Sequence, residues 1–305
     1  MATTPTSIPD PSGDDYGPSA RSRWLDVDWR EHQRWITVGG GPVNVIEMGS
    51  GPVLLFIHGL AGSWQNWLEQ IPACAERHRV IALDLPGFGH SPMPTEKISI
   101  TGYGRLIDAL CEELAIDAAA VVGNSMGGFI GAELALAFPQ RVERLVLVSA
   151  AGLSIEHMRN EPALAALRRM ERILTFYTGW VAAHSDSFVR RRRLRQVLLA
   201  TVARHPDRLP APLTAEQVRG SGKPGFIDAL DALTGYPIRD RLTEVACPTL
   251  VVWGSDDRLV PVGDAAEFER LIPNARKVIF EDTGHVAMLE RPDRFNSELE
   301  RFLKE

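Results

Sequence analysis

The chain has 305 residues, with 33 Lys and Arg against 39 Asp and Glu, a net charge of −6. That balance excludes the basic footprint of a nucleic-acid binder, and no apolar run approaches the ~18 residues that a membrane span needs. A composition of 45% hydrophobic and 24% charged residues is that of a globular protein, long enough for one large α/β domain with an insertion or for two modest domains.

Residues 1–22 are rich in Pro, Ser, Thr, Gly and Asp and lack an apolar stretch. They predict a disordered tail rather than a secretory leader. Trp35 to Val38 and Val43 to Met48 read as strands turning at Gly39-Gly40-Gly41-Pro42. Val53 to His58 is a continuously apolar strand, and a helix is expected over Trp64 to Glu76. Arg79 to Asp84 predicts a strand and Thr101 to Ala115 a helix. Ala118 to Gly123 predicts a strand, Met126 to Phe138 a helix and Leu145 to Ser149 a strand. Apolar strands without alternation, each followed by a helix, imply a mostly parallel central sheet flanked by helices on both faces.

From Gly152 to Leu242 the alternation stops. Helical stretches at Pro162 to Tyr177 and Phe188 to Ala203, with breaks such as Leu209-Pro210-Ala211-Pro212, predict a helical cap over 153–242. Apolar side chains such as Leu174, Phe176, Tyr177 and Trp180 are expected to face the pocket or the sheet. The strand and helix pattern then resumes at Thr249 to Gly254, Val262 to Leu271, Lys277 to Glu281 and Pro292 to Leu303. The expected core is therefore 23–152 together with 243–305. Catalytic groups in such a sheet belong at the carboxyl ends of its strands.

Gly123-Asn124-Ser125-Met126-Gly127 fits G-x-S-x-G between an apolar strand and a helix. There a sharp turn lifts the serine hydroxyl, and Gly123 and Gly127 give room where a Cβ would collide. The turn also presents the Met126 N–H at a helix N-terminus. A serine hydroxyl needs an adjacent base. In the chain order serine, acid, histidine, only His285 lies beyond the late acidic residues. The acid is expected just after Thr249 to Gly254, where Asp256 and Asp257 are adjacent and the residues themselves do not separate them. His32, His78, His90, His157, His184 and His205 read as solvent-facing. Cys74, Cys111 and Cys247 lack metal-ligand spacing; they read as packed, reduced thiols of a cytoplasmic protein. No metal site and no cofactor is expected.

Phe56-Ile57-His58-Gly59, Asp84-Leu85-Pro86-Gly87-Phe88-Gly89-His90-Ser91, Gly123 to Gly128, Trp253 to Pro261 and Gly284-His285 occur in this order. Together they resemble the α/β-hydrolase superfamily over about Trp29 to Phe302. The resemblance implies a Ser125, His285 and Asp257 triad, because the family's G-x-x-D-x-x-x-P pattern falls on Gly254, Asp257 and Pro261. It implies an oxyanion hole from the Leu60 and Met126 N–H groups, with Gly59 and His58 shaping that loop, and it places Asp84 in a structural turn. A serine at position 125 argues against the family's dehalogenases and epoxide hydrolases, which carry aspartate there.

The activity implied is hydrolysis of small carboxylic esters with short to medium acyl chains. The elbow is similar also to that of carbon–carbon hydrolases of aromatic ring-fission products. Those tend to have a glycine-rich loop after His-Gly and a tryptophan after the histidine. This chain has Leu60-Ala61-Gly62-Ser63-Trp64 and Val286 instead. A cofactor-free haloperoxidase or perhydrolase, and a non-enzymatic ligand receptor on the same fold, are the further readings. The run Arg190 to Arg193 with Arg195 reads as a solvated helix face.

Overall fold

The computed structural model describes residues 15–154, 179, 184, 189 and 191–305. Eight strands lie among them: β1 (Gln33–Val38), β2 (Gly41–Met48), β3 (Val53–Ile57), β4 (Arg79–Leu83), β5 (Ala119–Asn124), β6 (Val142–Val148), β7 (Thr249–Gly254) and β8 (Ala275–Phe280). They form one sheet in the order β1-β2-β4-β3-β5-β6-β7-β8. The β1-β2 and β2-β4 pairs are antiparallel and the others parallel. Gly39 and Gly40, both at positive φ, close the first hairpin as a primed two-residue turn requires.

The continuously apolar strands are explained by which face each residue meets. Leu55, Ile57, Val121, Leu145, Leu147, Val251 and Trp253 belong to one buried cluster. Their neighbours Leu54, Phe56, Val122, Val146, Val148, Leu250 and Val252 belong to another on the opposite face. Each such side chain contributes about 1.5–3 kcal/mol on burial.

The first face is covered by α2 (Ile100–Glu113) and α3 (Met126–Ala137), and by α7 (Gly263–Leu271). The second is covered by α1 (Ile71–Cys74), α8 (Ala287–Glu290) and α9 (Pro292–Lys304). Helix α9 buries Phe295, Leu299 and Phe302, one stripe at helical spacing. Helix α3 is apolar all round and is buried from Met126 to Ala135. Its Glu133 is satisfied by Tyr236 Oη at 2.6 Å and Arg241 Nη1 at 3.1 Å.

Chain reversal positions the site. From β3 the chain crosses to β4 on one side, and from β5 it crosses to β6 on the other. The loops leaving β3 and β5 therefore part at their carboxyl ends and leave a crevice there.

Two expectations are corrected. The helix over Trp64 to Glu76 is instead a 3-10 turn at Trp64–Trp67 followed by the short α1. Pro72 lacks the N–H that a continuous helix would use. Residues 15–19, expected within the tail, instead pack on the fold. Asp15 pairs with Arg291, Tyr16 is buried against Glu290, and the Ser19 N–H donates to Asp293 Oδ2 at 2.9 Å.

Within 153–242 the described elements are α4 (Arg192–Leu198), α5 (Ala211–Arg219) and α6 (Phe226–Thr234), with 3-10 turns and no strand among the described residues. The stretch Pro162 to Tyr177 and Trp180 lie outside the described residues. No helix among the described residues is long and apolar enough to cross a membrane.

Candidate active site

Strand β5 turns into α3 through Ser125, whose φ of 53° and ψ of −117° are rare for a side chain with a Cβ. Surrounding bonds hold the strained turn. The Ser125 N–H donates to Val148 O at 2.9 Å, and its carbonyl accepts from Ala151 N at 3.1 Å and Phe129 N at 3.2 Å. A Cβ on Gly123 would lie 2.2 Å from Gly127 O, and one on Gly127 would lie 2.2 Å from Ile57 O. The contacts are backbone and cannot swing aside. Gly127→Ala is expected to lower the unfolding free energy by about 1–3 kcal/mol, read by urea denaturation. An unchanged midpoint and slope would contradict so close an approach.

The loop leaving β3 runs beside this elbow. The Cβ position of Gly59 lies 3.0 Å from Asn124 Oδ1 and 3.2 Å from Ser125 Cβ. Gly62 N–H donates to Gly59 O at 3.0 Å, and Ala61 sits at a φ of 61°. Neither the Leu60 nor the Met126 amide donates to a main-chain carbonyl among the described residues.

His58 is fully buried beneath this loop. Its Nε2 accepts from the Leu85 N–H at 3.0 Å, so Nδ1 carries the proton toward Gly59 O at 2.8 Å. Burial holds its pKa below the usual histidine value, and the ring is neutral with both nitrogens occupied. Asp84 accepts from the amides of Trp64 and His90 and from Asn44 Nδ2, each at 2.8 Å, as a turn residue would. Trp67 is buried against Phe56, with ring centroids 4.7 Å apart.

His285 follows β8. Its Nδ1 lies 2.7 Å from Asp257 Oδ2, and both side chains are almost entirely shielded from solvent. The other carboxylate oxygen of Asp257 accepts from the Leu259 and Val260 amides at 2.9 and 3.0 Å. Asp256 turns away: it accepts from Ser255 Oγ at 2.8 Å and faces Arg204 at 3.3 Å. The adjacent aspartates, which the residues alone do not separate, thus differ in their contacts. It is Asp257 that meets the imidazole.

Ser125 and His285 open on one cavity of about 640 Å³. Leu60, Gly62, Leu198, Leu209, Phe226 and Leu230 are among the residues that line it. Asn66, Gln217, Thr201 and Ser221 add polar groups, but no Lys, Arg, Asp or Glu lines it among the described residues. A pocket of this size suits a small molecule. A second cavity, of about 480 Å³ between the first hairpin and α2, includes none of Ser125, His285 and Asp257.

Among the described residues no three His, Cys, Asp or Glu side chains gather as metal ligands. Burial pushes the Cys74 thiol up to about 12 and the Cys111 thiol to about 11. Neither is a thiolate nucleophile at neutral pH.

Several contacts were not foreseen. Asn124 Nδ2 reaches both Val148 O at 3.1 Å and His285 O at 3.4 Å. The His285 N–H donates to Val202 O at 2.9 Å. His205, read as solvent-facing, is half-buried and packs on Tyr16 and against Asp282. Arg192 is paired to Asp207 at 2.7 Å, and Arg195 donates to Val189 O at 2.6 Å. Part of the arginine run therefore ties its own segment together.

The family model described as the alpha/beta hydrolase fold matches residues 52–292. Over 98% of its length the chain is 30% identical to a dihydrolipoyllysine-residue acetyltransferase component of the acetoin cleaving system from Cupriavidus necator, covering 77% of that protein. It is 29% identical to 2-hydroxy-6-oxo-6-phenylhexa-2,4-dienoate hydrolase from Burkholderia cepacia, over 83% of this chain and 88% of that one. Among solved structures, a bacterial membrane phospholipase A is similar at a TM-score of 0.68 and 28% identity, covering 89% of this chain and 85% of the other.

Proposed function

The chain belongs to the α/β-hydrolase fold family, and within it we propose a serine hydrolase that cleaves small carboxylic esters through an acyl-enzyme. The observation that carries this reading is the strained Ser125 opening on the same cavity as His285, whose Nδ1 is held by Asp257.

In this reading Ser125 Oγ attacks the acyl carbon while His285 Nε2 takes its proton. The carbonyl oxygen becomes an anion facing the Leu60 and Met126 N–H groups, each worth about 10²–10³ in rate. The tetrahedral intermediate collapses, and the alcohol leaves with the proton from His285. Water, deprotonated by the same imidazole, then attacks the acyl-enzyme, and Ser125 Oγ leaves as the hydroxyl. Asp257 keeps the Nδ1 proton in place and stabilises the imidazolium.

The apolar wall of Leu198, Leu209, Phe226 and Leu230 suits a short to medium acyl chain, with about 0.8 kcal/mol for each methylene buried. In this reading the segment 153–242 is the cap that closes the cavity. Three unpaired thiols, Cys74, Cys111 and Cys247, fit a reducing, cytoplasmic compartment.

The second reading, cleavage of a ring-fission dienoate, is favoured by the likeness to the Burkholderia cepacia hydrolase. A dienoate carries a carboxylate that a positioned cation would recognise. The absence of Lys and Arg from the cavity lining among the described residues supports the ester. The expected result is a kcat/KM for p-nitrophenyl butyrate well above that for 2-hydroxy-6-oxo-6-phenylhexa-2,4-dienoate. A higher value for the dienoate overturns the ester and leaves the triad proposal standing.

A further inference from the structure

We propose that Glu290 is a positioning residue for His285, fixing the main chain on both sides of the histidine and tying it to two distant segments. The inference rests on the triad reading, since positioning matters only to a histidine that transfers a proton.

Glu290 lies on α8, five residues after His285, with no exposed surface. The Gly284 N–H lies 3.0 Å from both carboxylate oxygens, and the Val286 N–H lies 3.4 Å from Oε1. These two amides bracket His285. Oε2 also accepts from the Arg204 N–H at 2.8 Å and from the Tyr16 hydroxyl at 2.7 Å. Tyr16 is held in turn, because its oxygen accepts from the His205 N–H at 2.9 Å.

The segment that supplies Arg204 also supplies Val202 O, which accepts from His285 N–H. The histidine backbone is therefore suspended between this strap and the Glu290 carboxylate. Asn124 adds a third hold at the carbonyl. Burial pushes the Glu290 carboxyl above the usual range, while its amide and phenol donors pull it back.

A buried carboxylate is costly to desolvate, and an apolar residue of similar size avoids that cost. This one is compensated by three main-chain amides, two beside His285 and one from the strap across from it, and by the Tyr16 hydroxyl. That arrangement holds a loop in register. Glutamine keeps the volume but presents an NH2 group where donors already converge, so at least one of those amides loses its acceptor.

The experiment compares Glu290→Gln with the wild-type full chain. Active sites are counted by stoichiometric labelling with a fluorophosphonate. The kcat per labelled site and the KM are measured with p-nitrophenyl butyrate. The downfield proton resonance of His285 Nδ1–H is recorded and assigned by its loss in His285→Ala. The expected result is a fall in kcat per site of about 10- to 100-fold, the size of a small misplacement of a reacting group, with little change in KM and a displaced resonance.

A kcat per site within about twofold of wild type, with the resonance in place, would overturn the proposal. Should Glu290→Gln fail to fold, Tyr16→Phe removes one donor from the same carboxylate and is read by the same resonance. Displacement supports the clamp and an unmoved resonance overturns it. The resonance does not depend on turnover. A Ser125→Ala variant that still hydrolyses the ester would instead sink the triad reading, so the two failures are told apart.

Discussion

Replacing Ser125 by alanine is expected to lower kcat for p-nitrophenyl butyrate by about 10⁴–10⁶, the penalty for losing a triad nucleophile. The fold should survive, because the turn is held by main-chain bonds to Val148, Ala151 and Phe129 and not by the hydroxyl. Alanine also relieves nothing at a φ of 53°, so thermal unfolding should stay close to wild type. A fluorophosphonate should label the wild type at Ser125 alone, since Cys74 and Cys111 are held as thiols by burial. Labelling elsewhere, or an active alanine variant, rules out the nucleophile.

The elbow was legible because its requirements are local. Apolar β5, two glycines and an apolar helix surround one serine within a few residues, and the backbone there has little choice. Strands β3, β5, β6 and β7 were legible for a similar reason: strands buried on both faces carry no polar alternation. The helix expected over Trp64 to Glu76 keeps its apolar spacing, but Pro72 breaks the hydrogen-bond ladder that the spacing assumes.

What stayed hidden was long range. Tyr16 meets Glu290 across 274 positions, and no periodicity connects them. In the sequence Tyr16 sits among Gly, Ser, Asp and Pro and looks solvated. Its partner is a carboxylate that directly follows the apolar run Val286-Ala287-Met288-Leu289. That charge was the only signal available: a buried acid needs donors, and some had to come from elsewhere in the chain. The hold of Val202 on His285 was hidden likewise, since a main-chain carbonyl has no sequence signature.

Asp257→Asn is expected to lower kcat by about 10⁴, and Asp256→Asn by no more than about fivefold. The two residues are neighbours of the same chemical type, so the contrast isolates geometry. In Asp257 one oxygen accepts from the Leu259 and Val260 amides and the other accepts from His285 Nδ1. An asparagine at 257 best keeps its single oxygen on the two amides, which turns its NH2 group toward the imidazole. A donor there makes Nδ1 the acceptor and moves the proton to Nε2, the nitrogen that takes the serine proton in the proposed mechanism. The ring is then in the wrong tautomer, a penalty of about 10⁴ for the same change in the serine-protease triad. Flipping the amide restores the tautomer but sets NH2 against the Leu259 and Val260 N–H groups, and leaving the donor of buried Val260 unsatisfied costs about 1–3 kcal/mol. Asp256 makes no such contact with the imidazole. Its carboxylate is about a third exposed and faces Arg204 and Ser255, and a partly exposed pair contributes about 0–1 kcal/mol. Steady-state kinetics on the two variants decide the matter. A crippled Asp256→Asn beside an active Asp257→Asn would transfer the orienting role to Asp256 and break the register Gly254, Asp257, Pro261.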